Sequence, residues 1–158
     1  MNATLIPRHA LSVRQPWAWA IIHAGKPVEN RSTGALRHMS LPRRLAIHAS
    51  KGMTRAEYES AAEFMASIGV GCPPAADLLR GGIIGHVLVE GVVKESPSPW
   101  FFGPRAILLA DPRPCDFIPA VGHLGIFEWR PADPSIIPPP ARWMLQEARA
   151  AEQEGALL

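Results

Sequence analysis

Leu11-Ser-Val-Arg-Gln-Pro-Trp-Ala-Trp-Ala-Ile-Ile-His-Ala-Gly-Lys-Pro-Val-Glu-Asn-Arg31 places two tryptophans just after a proline and runs from a Gly-Lys turn into a Glu-Asn-Arg segment. Folding alone does not call for that density of aromatic and charged surface, and the stretch reads as one wall of a binding site. Pro16 suits the first turn of a helix, where its missing N–H has no partner in any case. The spacing predicts a short apolar helix over residues 17–24, stopped by Gly25 as a left-handed cap. Residues 27–31 then read as an edge strand on which Glu29 and Arg31 point to the same face. Trp17 and Trp19 lie about 200° apart around the helix axis, so they cannot both meet the core alike. One is expected to pack inward and the other to form an aromatic wall, and Trp17, beside Gln15, is the ligand-side candidate. A purely structural pair of tryptophans is an equal alternative.

Working outward, residues 32–44 hold Gly34, Pro42 and several basic side chains, and read as a loop. A short strand over residues 45–48 ends in Ala-Ser-Lys. The clearest helix covers residues 55–68, because Thr54 and Glu57 have capping-box spacing and Gly69 supplies the stop. Its stripe of Tyr58, Ala61, Met65 and Ile68 is core packing. Gly81-Gly82 opens a strand over residues 83–94, with Val87 and Val89 on one face and His86, Leu88 and Glu90 on the other. Residues 96–104 form a turn-rich loop bearing Trp100, and further strands read at 106–110 and 125–129. The expected organisation is a domain over residues 9–130, a proline-rich linker at 131–140, and a C-terminal helix or tail at 141–158 that docks through Trp143, Leu145 and Ala148.

Composition narrows the class. A chain of 158 residues with 47% hydrophobic and 19% charged residues reads as a soluble globular domain with a genuine core. Its 17 prolines and 13 glycines favour short elements and many turns, more like a small barrel than a helical bundle. A net charge of +2 is too mild to demonstrate nucleic-acid binding. Cys72 and Cys115 lack Cys-x-x-Cys spacing, and the six histidines show no metal-binding spacing, so neither a disulfide framework nor a metal or cofactor is expected. The start lacks the apolar core of a signal peptide, and no run reaches the roughly 20 apolar residues of a membrane span. The expectation is a cytoplasmic protein that does not engage a membrane.

Six segments taken together carry a resemblance. They are Leu-Ser-Val-Arg-Gln-Pro-Trp-Ala at 11–18, Gly-Lys-Pro-Val-Glu-Asn-Arg at 25–31, Ala-Ile-His-Ala-Ser-Lys at 46–51, Gly-Gly-Ile-Ile-Gly-His-Val at 81–87, Pro-Trp-Phe-Phe-Gly-Pro at 99–104, and Gly-His-Leu-Gly-Ile-Phe-Glu-Trp at 122–129. In that order they resemble the ASCH (activating-signal-cointegrator homology) domain, a branch of the PUA-like superfamily. The resemblance implies an α+β fold, a small PUA-like β-barrel flanked by helices, with a cleft lined by the Gln-Pro-Trp helix and the Gly-Lys-x-x-Glu-x-Arg segment. Members are generally regarded as RNA-binding modules. Some single-domain members are similar to hydrolases, one group deacylating N4-acylcytidine nucleosides and another linked to cleavage of single-stranded RNA. This chain departs from the pattern at Ser32-Thr33-Gly34, which lacks a tryptophan, and at Leu41-Pro-Arg-Arg44, where Tyr-Arg-Gly would be expected. In the amidohydrolase branch a threonine aligns with Glu29, a lysine with Lys26 and a glutamate with Glu90, so that reaction lacks its nucleophile here.

Two functional readings follow. In the first, the cleft recognises single-stranded RNA or a modified nucleoside. Trp17 and Trp100 stack on bases, and Glu29 accepts a hydrogen bond from a base amino group. Lys26, Arg31 and Lys51 meet phosphate or polar base edges, with Gln15 and His48 alongside. The bland counterpart is a solvated edge strand whose surface ion pair is worth little. In the second, the same cleft is a hydrolase, a ribonuclease or an amidohydrolase. Glu90, mid-strand among valines, must face water or meet a cation. Lys26 is its natural partner as an acid–base pair, with Lys51 stabilising negative charge. A weaker third reading has a protein partner meet Trp143 and the proline-rich tail.

Overall fold

The computed structural model describes residues 5–157; the start of the chain at 1–4 and residue 158 of the expected tail lie outside them. The elements follow as β1 (His9–Val13), α1 (Trp17–His23), β2 (Val28–Asn30), β3 (Arg43–Ala49), α2 (Arg55–Ser67), β4 (Gly82–Val93), β5 (Ala106–Pro119), β6 (Ile126–Glu128) and α3 (Arg142–Leu157). The fold is α+β. All six strands form one sheet in the order β2-β5-β4-β3-β1-β6. β1 and β3 run parallel, whereas the other neighbours are antiparallel. That order leaves β2 and β6 as edges, so the sheet is open and the expected barrel is not closed by strand pairing. Both edge strands are three residues long, a length that ends a sheet with few unpaired groups.

The predicted α2 is present with both halves of its capping box: Glu57 N–H donates to Thr54 Oγ1 at 3.1 Å, and Thr54 N–H to Glu57 Oε1 at 3.3 Å. Two strand expectations change. β1 was not among the predicted strands, and β5 continues nine residues past Ala110 through Pro112, Pro114 and Pro119. Proline costs a strand a ladder hydrogen bond. Beyond Leu109 no strand among the described residues pairs with the outer side of β5, where the Pro119 carbonyl instead accepts from Ala132 N–H at 2.8 Å, so the loss is tolerated there. At the C-terminus, α3 docks through Met144, which is fully buried against Met53, Tyr58, Ala75 and Leu78. Trp143 contributes an edge contact to Tyr58, but Leu145, expected to dock, is exposed. No helix among the described residues is long and apolar enough to cross a membrane.

The main core lies between α1 and the sheet. Ala18, Ile21 and Ile22 meet Leu11, Leu45, Ile47, Val87 and Ile107. Gly85 sets the spacing of these layers. A Cβ there would lie 2.5 Å from the Arg113 carbonyl oxygen and 2.8 Å from Ile22 Cδ1. Gly85→Ala is therefore expected to destabilise the fold by about 2 kcal/mol in urea unfolding, as overpacking against backbone does. A change under about 0.5 kcal/mol, the range of neutral surface substitutions, would show that the helix can ride outward at no cost.

Candidate ligand-binding site

β1, the start of α1 and β2 together wall a cleft of about 250 Å³ lined by Ser12, Arg14, Trp17, Glu29, Asn30 and Arg31. α1 begins immediately after Pro16, which directs Trp17 toward Phe64, Trp100 and Phe102, at ring separations of 6.1, 6.4 and 6.0 Å. Asn30 ties this aromatic wall to β2: its Nδ2 donates to the Trp100 carbonyl, and its Oδ1 accepts from Phe102 N–H, both at 2.8 Å. Arg31 Nη1 donates to the Ser12 carbonyl at 3.0 Å, bridging β1 to the chain after β2.

Behind this wall lies Lys26, whose side chain is 1% exposed. Its Nζ donates to the Val28 carbonyl at 2.6 Å, sits 3.8 Å from Glu29 Oε1, and lies 5.5 Å from the Trp17 ring centroid. Burial pushes the lysine pKa down and the Glu29 pKa up. Each partner opposes the other's shift, and Arg31 further opposes that of Glu29. Glu29 Oε2 is buried and has no hydrogen-bond partner. A carboxylate oxygen shielded from water and left without a donor is costly, which makes it the least satisfied acceptor at the cleft.

A second cleft, of about 500 Å³, adjoins the first through Ser12 and is lined also by His48, Ser50, Lys51, Gly122 and His123. His48 is buried, with Nδ1 3.2 Å from Ser12 Oγ and Nε2 2.7 Å from the Ala120 carbonyl. Lys51 is exposed on its rim.

The sequence candidates therefore divide. Trp17, Glu29 and Arg31 meet at the first cleft, and His48 and Lys51 at the second. Lys26 supports Glu29 from behind, since its ammonium is fully enclosed, and the expected contact with phosphate does not fit that position. Gln15 is spent on structure: its Nε2 donates to the Leu79 carbonyl at 2.8 Å and its Oε1 accepts from Trp19 N–H at 2.9 Å. Trp100 is buried under Trp17, so it backs the aromatic wall and offers no open face for stacking. Glu90 is exposed, and the ion-pair partner of Lys26 is Glu29, not Glu90. The reason is local: Val89 pairs with Leu109 and Gly91 with Leu108, so Glu90 is the extra residue of a β-bulge. Sequence reasoning missed Ser12, Asn30 and His123. Ser12 alternates with Leu11 and Val13 along β1, a period-2 signal that becomes useful once His48 is known to lie opposite it.

No protein-family model matches the chain, and no curated protein matches it. Solved structures similar to it include a serine-to-alanine mutant of an ASCH protein from Zymomonas mobilis, at 23% identity over 72% of this chain and 77% of that one, with a TM-score of 0.36. An ASCH structure from the same organism is similar at 19% identity, covering 90% of this chain and 93% of that one, with a TM-score of 0.33.

Proposed function

We propose that this chain is an ASCH-type module that reads a nucleobase, in a nucleoside or in single-stranded RNA, at the cleft between Trp17, Glu29 and Arg31. The observation that carries the reading is the unpartnered Glu29 Oε2 beside an aromatic ring and a guanidinium. A base amino group is the donor that such an oxygen lacks, as in carboxylate recognition of the cytosine N4 group. One of the five Arg31 N–H groups is held by the Ser12 carbonyl, which fixes the guanidinium for a second contact to a base edge. The volume suits a base or nucleoside, being below the roughly 300 Å³ at which drug-sized sites begin. The rival reading, a hydrolase built on Lys26 and Glu90, lacks its acid–base pair because the two do not meet.

NMR titration with cytidine, adenosine, guanosine and uridine tests the reading. The amino-bearing nucleosides are expected to shift the Trp17 indole and to bind more tightly than uridine. Glu29→Gln and Arg31→Ala are each expected to weaken them about tenfold or more, the loss of one charge-assisted hydrogen bond. Equal binding of uridine, or unchanged affinity in Glu29→Gln, would remove Glu29 as the reader.

A further inference from the structure

The second cleft holds chemistry that base recognition does not use. β1 and β3 run parallel with Ser12 directly opposite His48, which brings the serine Oγ to 3.2 Å from His48 Nδ1. The other ring nitrogen, Nε2, lies 2.7 Å from the Ala120 carbonyl oxygen. A carbonyl can only accept, so in the neutral ring Nε2 carries the proton and Nδ1 turns its lone pair to the serine hydroxyl. We propose that Ser12 and His48 form a nucleophile–base pair that hydrolyses a small acyl ester or amide, with Lys51 holding a negatively charged end of the substrate.

The arrangement has the parts such a pair needs: a hydroxyl within reach of a base, and a third group that orients the base. Phe127 also meets the imidazole edge-on at 5.7 Å, which restricts its rotation. Burial lowers the His48 pKa, and nearby His123 and Lys51 lower it further against the opposing Ala120 hydrogen bond, so the ring is neutral and able to take a proton at pH 7. Gly122 closes over the pair. A Cβ there would lie 2.5 Å from His48 Cε1, 2.9 Å from Nδ1 and 3.1 Å from Ser12 Oγ, so only glycine lets the loop lie there undisturbed. A serine that merely satisfied a core histidine could be buried with it. Ser12 is instead half-exposed, on the rim of both clefts.

In the reaction, Ser12 Oγ bonds to the acyl carbon as its proton passes to His48 Nδ1. The carbon–heteroatom bond to the leaving group then breaks, and Nδ1 returns the proton to that group. Water, deprotonated by the same nitrogen, attacks the acyl-serine. The acid is released and Ser12 regains its proton. The Lys51 ammonium gives the cleft the charge to favour an anionic acyl chain.

The experiment treats the intact protein with a fluorophosphonate probe, maps the adduct by mass spectrometry, and follows turnover of p-nitrophenyl acetate and p-nitrophenyl hemisuccinate. The expected results are a single adduct on Ser12, faster turnover of the hemisuccinate, and a rate that falls in acid with an apparent pKa below 6.5, the ordinary histidine value. Ser12→Ala is expected to lose both adduct and turnover. Lys51→Gln is expected to raise KM for the hemisuccinate about tenfold while leaving kcat within about twofold, the pattern of a lost binding contact. No adduct on Ser12, or hydrolysis by Ser12→Ala at the original rate, would overturn the proposal. Because Ser12→Ala keeps the backbone carbonyl that holds Arg31, nucleoside binding at the first cleft is scored separately, and either assignment can fail without the other.

Discussion

Lys26→Met is expected to lower the unfolding free energy by about 3 kcal/mol at pH 7 but by only about 1 kcal/mol at pH 5, the difference being set by the protonation of Glu29. In the native protein the Lys26 ammonium is enclosed, 3.8 Å from Glu29 Oε1 and donating to the Val28 carbonyl at 2.6 Å. Methionine fills similar space but removes the charge, so the buried Glu29 carboxylate loses its nearest cation. Its pKa, already raised by burial, rises further. Such a carboxylate escapes by taking up a proton, and that escape caps the cost. From the ordinary value of 4.5, neutralising it at pH 7 requires about 3.4 kcal/mol, at about 1.4 kcal/mol per pH unit. At pH 5 the same step requires under about 1 kcal/mol.

The sign follows from linkage. A carboxyl group whose pKa is raised in the folded state favours the fold below its unfolded value, and loses that contribution as pH rises toward the folded one. Native and variant share this loss up to the native Glu29 pKa, itself above 4.5, so the gap between them should open as pH rises beyond that value toward neutrality. Relief of the lysine's own desolvation offsets part of the loss, and the lost hydrogen bond to Val28 contributes a pH-independent loss of about 1 kcal/mol. Lys26→Met combined with Glu29→Gln removes both charges and should recover most of the loss. Urea unfolding of the three proteins at pH 5 and pH 7 decides the matter. A loss that is the same at both pH values would mean that Lys26 matters for packing alone.

What the sequence disclosed of this pair follows the range of the interactions involved. Glu29 and Arg31 share the first cleft, although β2 ends at Asn30 and Arg31 is held there by its bond to the Ser12 carbonyl, not by the two-residue period of the strand. The α2 capping box was legible because both of its bonds close within three residues. Of the two positions open to Glu90 among its valines, water or a cation, the structure shows water: Glu90 is exposed at a bulge between Val89 and Gly91, and Lys26 pairs instead with Glu29, three residues away. Long-range pairing hid the rest. Ser12 becomes a neighbour of His48 only through the parallel pairing of β1 with β3, across 36 residues. The prolines of β5 read as turns because nothing local reveals that no strand pairs with the outer side of β5 beyond Leu109. Gln15 shows the converse limit. Its place beside Trp17 was legible, but the Leu79 carbonyl that occupies its amide lies 64 residues away.

Trp17→Ala is expected to destabilise the protein by about 3 kcal/mol and to abolish nucleoside binding, and a graded series at the same position separates the two effects. The ring packs against Phe64, Trp100 and Phe102 on one side and lies over the Lys26 ammonium at 5.5 Å on another. Truncation removes dispersion contacts to three aromatic rings and a cation–π contact worth about 1–2 kcal/mol when desolvated. Loss of affinity in the alanine variant would therefore be ambiguous, because the cleft wall itself would relax. Trp17→Phe and Trp17→Leu resolve this. Both keep an apolar side chain of intermediate size, so both should cost less stability than alanine and resemble each other in urea unfolding. Only phenylalanine keeps a π face. If a base stacks on Trp17, phenylalanine should retain affinity to within a few-fold. Leucine should lose about tenfold or more, since stacking is worth about 1–3 kcal/mol per base. Isothermal titration with cytidine on variants of matched stability provides the comparison. Equal affinity in the phenylalanine and leucine variants would make Trp17 a packing residue, leaving Glu29 and Arg31 to recognise the base without a platform beneath it.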